Sequence, residues 1–271
     1  MSISNLDITI IFIYLVAVLV FGILVSRREG AEGYFVNNRK TKLFFLMFTT
    51  LSTSVGAGTV LGVISASLST GISVGILFMI ASILGWSLVG YLAPRIKAFG
   101  DRTGAYTFGD YLAHQYSPSV RNVGRIVVVV AYFFALGIQF VAFSELISVI
   151  TTLNFTTGLL ITAFITIFYT TIAGVKGDFY TDALQFFVML PVFVFLFVKG
   201  FAVVGVNELF TLPDGFFNLY NYDGALFFWA GLLFAFPLVL VSAEVWQRIY
   251  AASSEKVAQK ALYLSGFLKV I

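Results

Sequence analysis

Ser52-Thr53-Ser54-Val55-Gly56-Ala57-Gly58-Thr59 is a run of hydroxyl-bearing and glycine residues set in the middle of an apolar segment, 43–68. A helix crosses the hydrocarbon core in about 20 residues, which puts this run near the midplane. Glycine costs about 1 kcal/mol per residue in a helix relative to alanine, so this is the weakest stretch of the segment. Carbonyls released by unwinding inside a membrane must find a partner, and a dehydrated cation serves as one. Small residues also permit close helix packing, and Ser or Thr can satisfy the backbone locally; the run alone leaves both readings open.

The rest of the chain supplies the membrane. Its 271 residues are 59% apolar, 17% aromatic and 11% charged, and the mean hydropathy is +0.98. Soluble domains carry about a quarter charged residues, so a soluble globular fold is excluded. Apolar runs of spanning length lie at 6–26, 43–68, 72–94, 126–150, 155–173, 178–203 and 225–249, and an eighth begins near 256 and runs to Ile271. The first is not a cleaved signal peptide, because Asp7 precedes it and Arg27 and Arg28 follow it. There is no cysteine and a single histidine, His114, so thiolate sites, disulfides and a histidine-built metal centre have no residues to form them.

Alternating loops separate the positive charges. One side holds Arg27, Arg28, Arg39, Lys40, Lys42, Arg95, Lys97, Arg102, Arg121, Arg125, Lys176, Arg248, Lys256 and Lys260; the other holds Lys199 at a helix end, together with Asp7, Glu208, Asp214 and Asp223. The positive-inside rule makes the first side cytoplasmic and the N-terminus external, as expected of an integral protein of the plasma membrane. The longer connections are 95–125 inside and 204–224 outside, and His114 reads as a solvated residue of the former.

A second interruption lies at Phe236-Pro237 in the middle of span 225–249, where proline removes a donor and clashes with the preceding turn. Four spans lie between the two, so the interrupted helices cross in opposite directions. Opposed interruptions at one depth are the pattern of an inverted-repeat transporter that binds at its breaks. Glu145, Asp182 and Glu244 are the acids within spans, where a carboxylate needs a partner or water. Asp182 lies about 6 Å from the inner end of its span, within reach of an exiting ion. Glu244 precedes Arg248 by one turn, a spacing that predicts a structural pair. Gln139 sits at mid-depth of span 126–150, where an interhelical hydrogen bond and a solute contact explain it about equally. No nucleophile set, phosphate loop or nucleic-acid signature occurs, so the chain is not read as an enzyme.

The sequence resembles the sodium:solute symporter family over nearly its whole length. The resemblance rests on Ser52 to Gly62, Thr107-Phe108-Gly109-Asp110-Tyr111-Leu112, Gln139, Ala173 to Gln185 and Gln247 to Lys256. It implies an all-α, polytopic, LeuT-like inverted-repeat fold: one transmembrane domain over 1–271, with a leading helix 6–26, a first repeat 43–203 and the start of a second repeat 225–271. It also implies Na+ as coupling ion, held by backbone carbonyls at Ser52 and Val55, with Asp182 on the ion's path or in a second sodium site. Solute contacts are expected at Ser54, Gly56, Gly58, Thr59, Gln139 and Pro237, and at Lys269, which matches a solute-contacting lysine of sugar-transporting relatives.

Span 72–94 opens Ile72-Ser73-Val74-Gly75-Ile76-Leu77-Phe78-Met79-Ile80-Ala81, without acid or amide, whereas a sugar presents many hydroxyls that each cost about 1–3 kcal/mol if left unpaired. A small amino-acid-like or carboxylate solute is expected ahead of a sugar. The resemblance implies a core of ten helices, so the chain is expected to be a truncated symporter, inactive alone, without the later helix that completes the sodium site. A half-transporter completed by a partner chain, and a non-transporting membrane sensor or scaffold, are the alternatives.

Overall fold

A computed structural model describes residues 4–26 and 30–269. Arg27, Arg28 and the end of the eighth span at Ile271 lie outside the described residues. Helix α1, Asn5–Ser26, is 22 residues long and spans about 33 Å at 1.5 Å per residue. Its N-terminus closes on itself: Ser4 Oγ accepts the Asp7 N–H at 3.2 Å, and Asp7 Oδ2 accepts the Ser4 N–H at 3.1 Å. A short helix α2, Ala31–Val36, leads to the first interrupted span, formed by α3, Leu43–Ser54, and α4, Ala57–Thr70. The two halves bend by 52°, where the Ser52–Thr59 run predicts a break.

Beyond the bilayer the helices run further than hydropathy predicts. Helix α5, Ile72–Thr103, continues past Pro94 and carries the Lys97–Asp101 ion pair, 2.5 Å, in its extension. The connection 95–125 is not a loop, because α6, Phe108–Gln115, and the first turns of α7, Pro118–Ile150, lie within it. Thr107 and Asp110 form a reciprocal cap on α6, and Ser117 caps α7 ahead of a proline at its first position. Hydropathy reports the hydrocarbon slab alone, whereas these caps let helices persist in water.

Helix α8, Phe155–Glu208, is 54 residues long; straight, it would measure about 80 Å, more than twice the hydrocarbon core. It is two spans. Gly174 breaks the helical path with φ 56° and ψ −172°, a conformation that glycine reaches without strain. Tyr169 and Thr181 meet hydroxyl to hydroxyl at 2.6 Å, yet twelve residues along a straight helix would set them about 18 Å apart. The expected spans 155–173 and 178–203 are the two limbs of this element. Tyr34 packs into the bend, where a β-carbon on Gly174 would stand 2.5 Å from its ring.

The second interrupted span is α9, Gly224–Val241, followed by α10, Ala243–Ala251. Its break falls at Ser242 (φ −70°, ψ 118°), five residues after Pro237, which remains helical. Proline removes a hydrogen bond from the turn before it, and the helix resumes beyond, so the midplane break expected at Phe236-Pro237 is displaced toward the basic side. Helix α11, Glu255–Leu268, follows. A parallel bridge joins Thr41 to Ala252 through Thr41 N–H to Ala251 O (3.0 Å) and Ser253 N–H to Thr41 O (2.9 Å), tying the start of α3 to the end of α10.

The core lies at the basic end, where Leu46, Val89, Ala93, Ile249, Tyr250, Ala258 and Leu262 from α3, α5, α10 and α11 are fully buried. The outer faces of α1, α7, α8 and α9 expose Leu, Ile, Val and Phe, as a lipid-facing surface requires. At the other end, Ile72 N–H donates to Phe216 O at 2.8 Å and Asn221 Nδ2 to Thr70 O at 3.0 Å, so the 212–223 connection seals the α4–α5 turn.

Candidate functional site

The hydroxyls of α3 first serve their own helix. Thr50 Oγ1 donates to Leu46 O and Ser54 Oγ to Thr50 O, both at 2.6 Å. Val55 leaves the helix with φ −99° and ψ 74°, its N–H bonded to Ser52 O at 3.0 Å, and Gly56 starts α4 without a side-chain cap. The break therefore presents the C-terminus of α3 to the N-terminus of α4. Carbonyls at a helix end favour a cation, and the first N–H groups of a helix favour an anion. The second lone pair of Ser52 O and the carbonyl of Val55 suit a cation such as Na+.

Gln139 of α7 lies against this break: a β-carbon at Gly56 would stand 3.0 Å from Gln139 Oε1 and 3.1 Å from Nε2. Gly56 and Gln139, both expected at the solute, are thus brought together because one of them has no side chain. Thr59 is exposed on the first turn of α4, and the backbone of Gly58 is helical beside it.

Asp182 lies on the second limb of α8 and is 8% exposed. Its Oδ2 accepts Thr49 Oγ1 at 2.6 Å and Thr53 Oγ1 at 2.7 Å from α3, and Arg248 Nη2 at 3.2 Å from α10. Arg248, 3% exposed, also donates to the Thr53 hydroxyl, lies 5.2 Å above the Phe179 ring and stands 3.7 Å from Asp178. The expected Glu244–Arg248 side-chain pair is corrected. Arg248 Nη1 takes the Glu244 backbone carbonyl at 3.3 Å, while the Glu244 carboxylate accepts the Tyr132 hydroxyl. Asp182 is the more deeply buried acid, and Glu244 has the first turn of α10 to stabilise it, so the guanidinium goes where the uncompensated charge would cost more.

Pro237 lies within α9, and Lys269 follows the last turn of α11. Pro237 follows Phe236, whose carbonyl closely approaches Gly85 of α5. Lys269 Nζ lies 3.7 Å over the Trp86 ring. Thr49, Thr53, Arg248 and Tyr132 are the site residues that the sequence reading did not assign. The spacing of Thr49 and Thr53, one turn apart on one face, was the available signal.

Residues 34–270 match the sodium:solute symporter family. The chain belongs to that family. Among its relatives, the sodium/pantothenate symporter of Haemophilus influenzae is 26% identical over 212 residues, covering 75% of this chain and 44% of that protein. The human sodium/iodide cotransporter is 27% identical over 256 residues, 90% of this chain and 39% of that one. Mouse sodium/glucose cotransporter 4 is 25% identical, over 100% and 43% respectively. The chain thus spans less than half the length of these curated relatives. A substrate-bound, outward-open Na+-coupled sialic acid symporter has the same fold, with a TM-score of 0.84 at 16% identity over 99% of this chain and 58% of the other. For this symporter-family chain the fold class is therefore all-α and LeuT-like, and no enzymatic activity is assigned.

Proposed function

We propose that the chain forms the ion- and solute-binding first part of a sodium-coupled symporter for a small amino-acid-like or carboxylate solute, working by alternating access in a cell membrane. The observation that carries the reading is the break at Val55–Gly56, with Asp182 of α8 held by Thr49 and Thr53 on the preceding turns of α3. Sodium bound by the carbonyls of Ser52 and Val55 fixes the end of α3. A solute carboxylate suits the N-terminus of α4, where the first N–H groups and the helix dipole favour an anion, with the amide of Gln139 beside it. Ser54, Gly56, Gly58 and Thr59 then line the solute, and Pro237 and Lys269 belong to its farther wall. Asp182 gives the ion an acidic group on its way to the basic side, in exchange for part of its contact with Arg248. Sodium entry at 100 mV contributes about 2.3 kcal/mol, enough for roughly fiftyfold accumulation.

The test is uptake of labelled amino acids, carboxylates and hexoses into proteoliposomes containing the complete gene product under an inward sodium gradient. Sodium-dependent, voltage-stimulated uptake of an acid, lost in Asp182→Ala, is the expected result. Uptake independent of sodium and unchanged in Asp182→Ala sinks the proposal. Activity only on co-expression with a second chain identifies a half-transporter, and solute binding without flux identifies a sensor.

A further inference from the structure

Helix α10 begins at an unusual cap. Ser242 occupies the N-cap position, where a serine side chain ordinarily accepts one of the first free N–H groups. Here its Oγ instead donates back to Leu238 O at 2.9 Å, and no side-chain cap comes from Ser242. The carbonyl of Leu240 is taken by the Trp246 indole N–H at 2.6 Å. The N–H of Ala243 is taken by another helix altogether: it donates to the Tyr132 hydroxyl of α7 at 3.0 Å, and the same hydroxyl donates to the Glu244 carboxylate. A phenol both donates and accepts, so one group satisfies the first backbone donor of α10 and orients the acid beside it.

Tyr132 and Gln139 are seven residues apart on α7. Seven residues are close to two full turns, so the two side chains lie on one face, about 10 Å apart along the axis. One face of one helix therefore touches both interruptions, Gln139 at Gly56 and Tyr132 at Ala243. Helix α10 is short, nine residues, and carries Arg248 to Asp182. Its angle is fixed by Tyr132 at the start and by Arg248 near the end.

We infer that Tyr132 is a positioning residue: it caps α10 from α7 and thereby holds the break of the second repeat in register with the break of the first. Loss of the cap frees the first turn of α10 and blurs the placement of Arg248 at Asp182. This deepens the symport reading and rests on it only for the transport measurement.

Backbone hydrogen–deuterium exchange of the full chain in nanodiscs reads the cap directly, without transport. Tyr132→Phe is expected to speed exchange at residues 243–246 roughly three- to tenfold, the range for one lost hydrogen bond, with residues 43–54 unchanged. Ser242→Ala, which removes the residue an ordinary cap would use, is expected to leave 243–246 within about twofold of the parent. A Tyr132→Phe variant with unchanged exchange, or a Ser242→Ala variant with the larger rise, overturns the inference. Ser242→Ala leaves the core untouched and decides the matter even where Tyr132→Phe fails to fold. In uptake assays of the complete gene product, Tyr132→Phe is expected to raise the sodium half-saturation concentration severalfold while Ser242→Ala does not. An unshifted value in Tyr132→Phe counts against the positioning role. Absence of any uptake by the parent counts against symport and leaves the exchange result standing.

Discussion

The Arg248 guanidinium meets the Asp182 carboxylate at 3.2 Å across 66 residues of chain, and both groups are almost wholly buried. The pair joins α10 to α8, and Thr49 and Thr53 make it part of α3 as well. Removing one member of such a pair leaves the other charged and unpaired. Asp182→Asn is therefore expected to destabilise the protein by about 3–5 kcal/mol, seen as a lowered thermal midpoint in detergent. Replacing both residues, Asp182→Asn with Arg248→Met, is expected to restore part of that loss. A double variant less stable than either single one would show that the ion pair is not the coupling.

Gly174 makes a second prediction, about the hinge of α8. Its φ of 56° is strained for any side chain, and the ring of Tyr34 fills the space where a β-carbon would go. Gly174→Ala is expected to cost about 1–3 kcal/mol from backbone strain, and more if Tyr34 cannot yield. Gly200, on the same helix with open space around it, is the control: Gly200→Ala is expected to be neutral or stabilising by up to about 1 kcal/mol. Equal effects of the two substitutions in thermal unfolding would refute the hinge.

Where local rules decide the structure, the sequence is legible. Glycine and serine weaken 52–59 from within, and the chain breaks there, at Val55–Gly56. The second break follows a different logic. Pro237 weakens the turn before itself, but the unwound residue is Ser242, and the groups that stabilise it, Tyr132 and Trp246, are visible only once α7 and α10 have packed. The partner of Arg248 was hidden for the same reason, since helical spacing points to Glu244 one turn away and says nothing of Asp182 on another helix. The water-side extensions of α5, α6 and α7 carried readable signals, Thr107 with Asp110 and Ser117 before Pro118, that a hydropathy window does not register.

The solute contact proposed for Gly56 and Gln139 can be tested separately from folding. A methyl group at Gly56 would stand 3.0 Å from Gln139 Oε1, close enough to displace a side-chain amide by a few tenths of an ångström but not a backbone. The Gly56 backbone, at φ −91° and ψ 156°, is extended and accepts any residue. Gly56→Ala is expected to leave the thermal midpoint nearly unchanged and to raise the KM for solute severalfold in the complete gene product. Gln139→Ala should raise it as well, and the two effects combined should be less than additive because both act on one amide. Full additivity would place Gln139 and Gly56 in separate roles.

Orientation can be read with single cysteines, because the chain has none of its own. Ser4, Arg102, Asp214 and Lys256 are exposed and suit the purpose. Ser4 and Asp214 lie near the ends of helices on the acidic side, and Arg102 and Lys256 on the side that gathers the lysines and arginines, which the positive-inside rule assigns to the cytoplasm. A membrane-impermeant maleimide is expected to label Ser4→Cys and Asp214→Cys in intact cells, and Arg102→Cys and Lys256→Cys only after permeabilisation. The four positions also test the fold of α8: if that helix crossed the membrane once instead of twice, Asp214 would fall on the same side as Arg102. Labelling of all four in reverse would invert the orientation while keeping the fold, and Asp214 labelling together with Arg102 would contradict the two-limbed α8 itself.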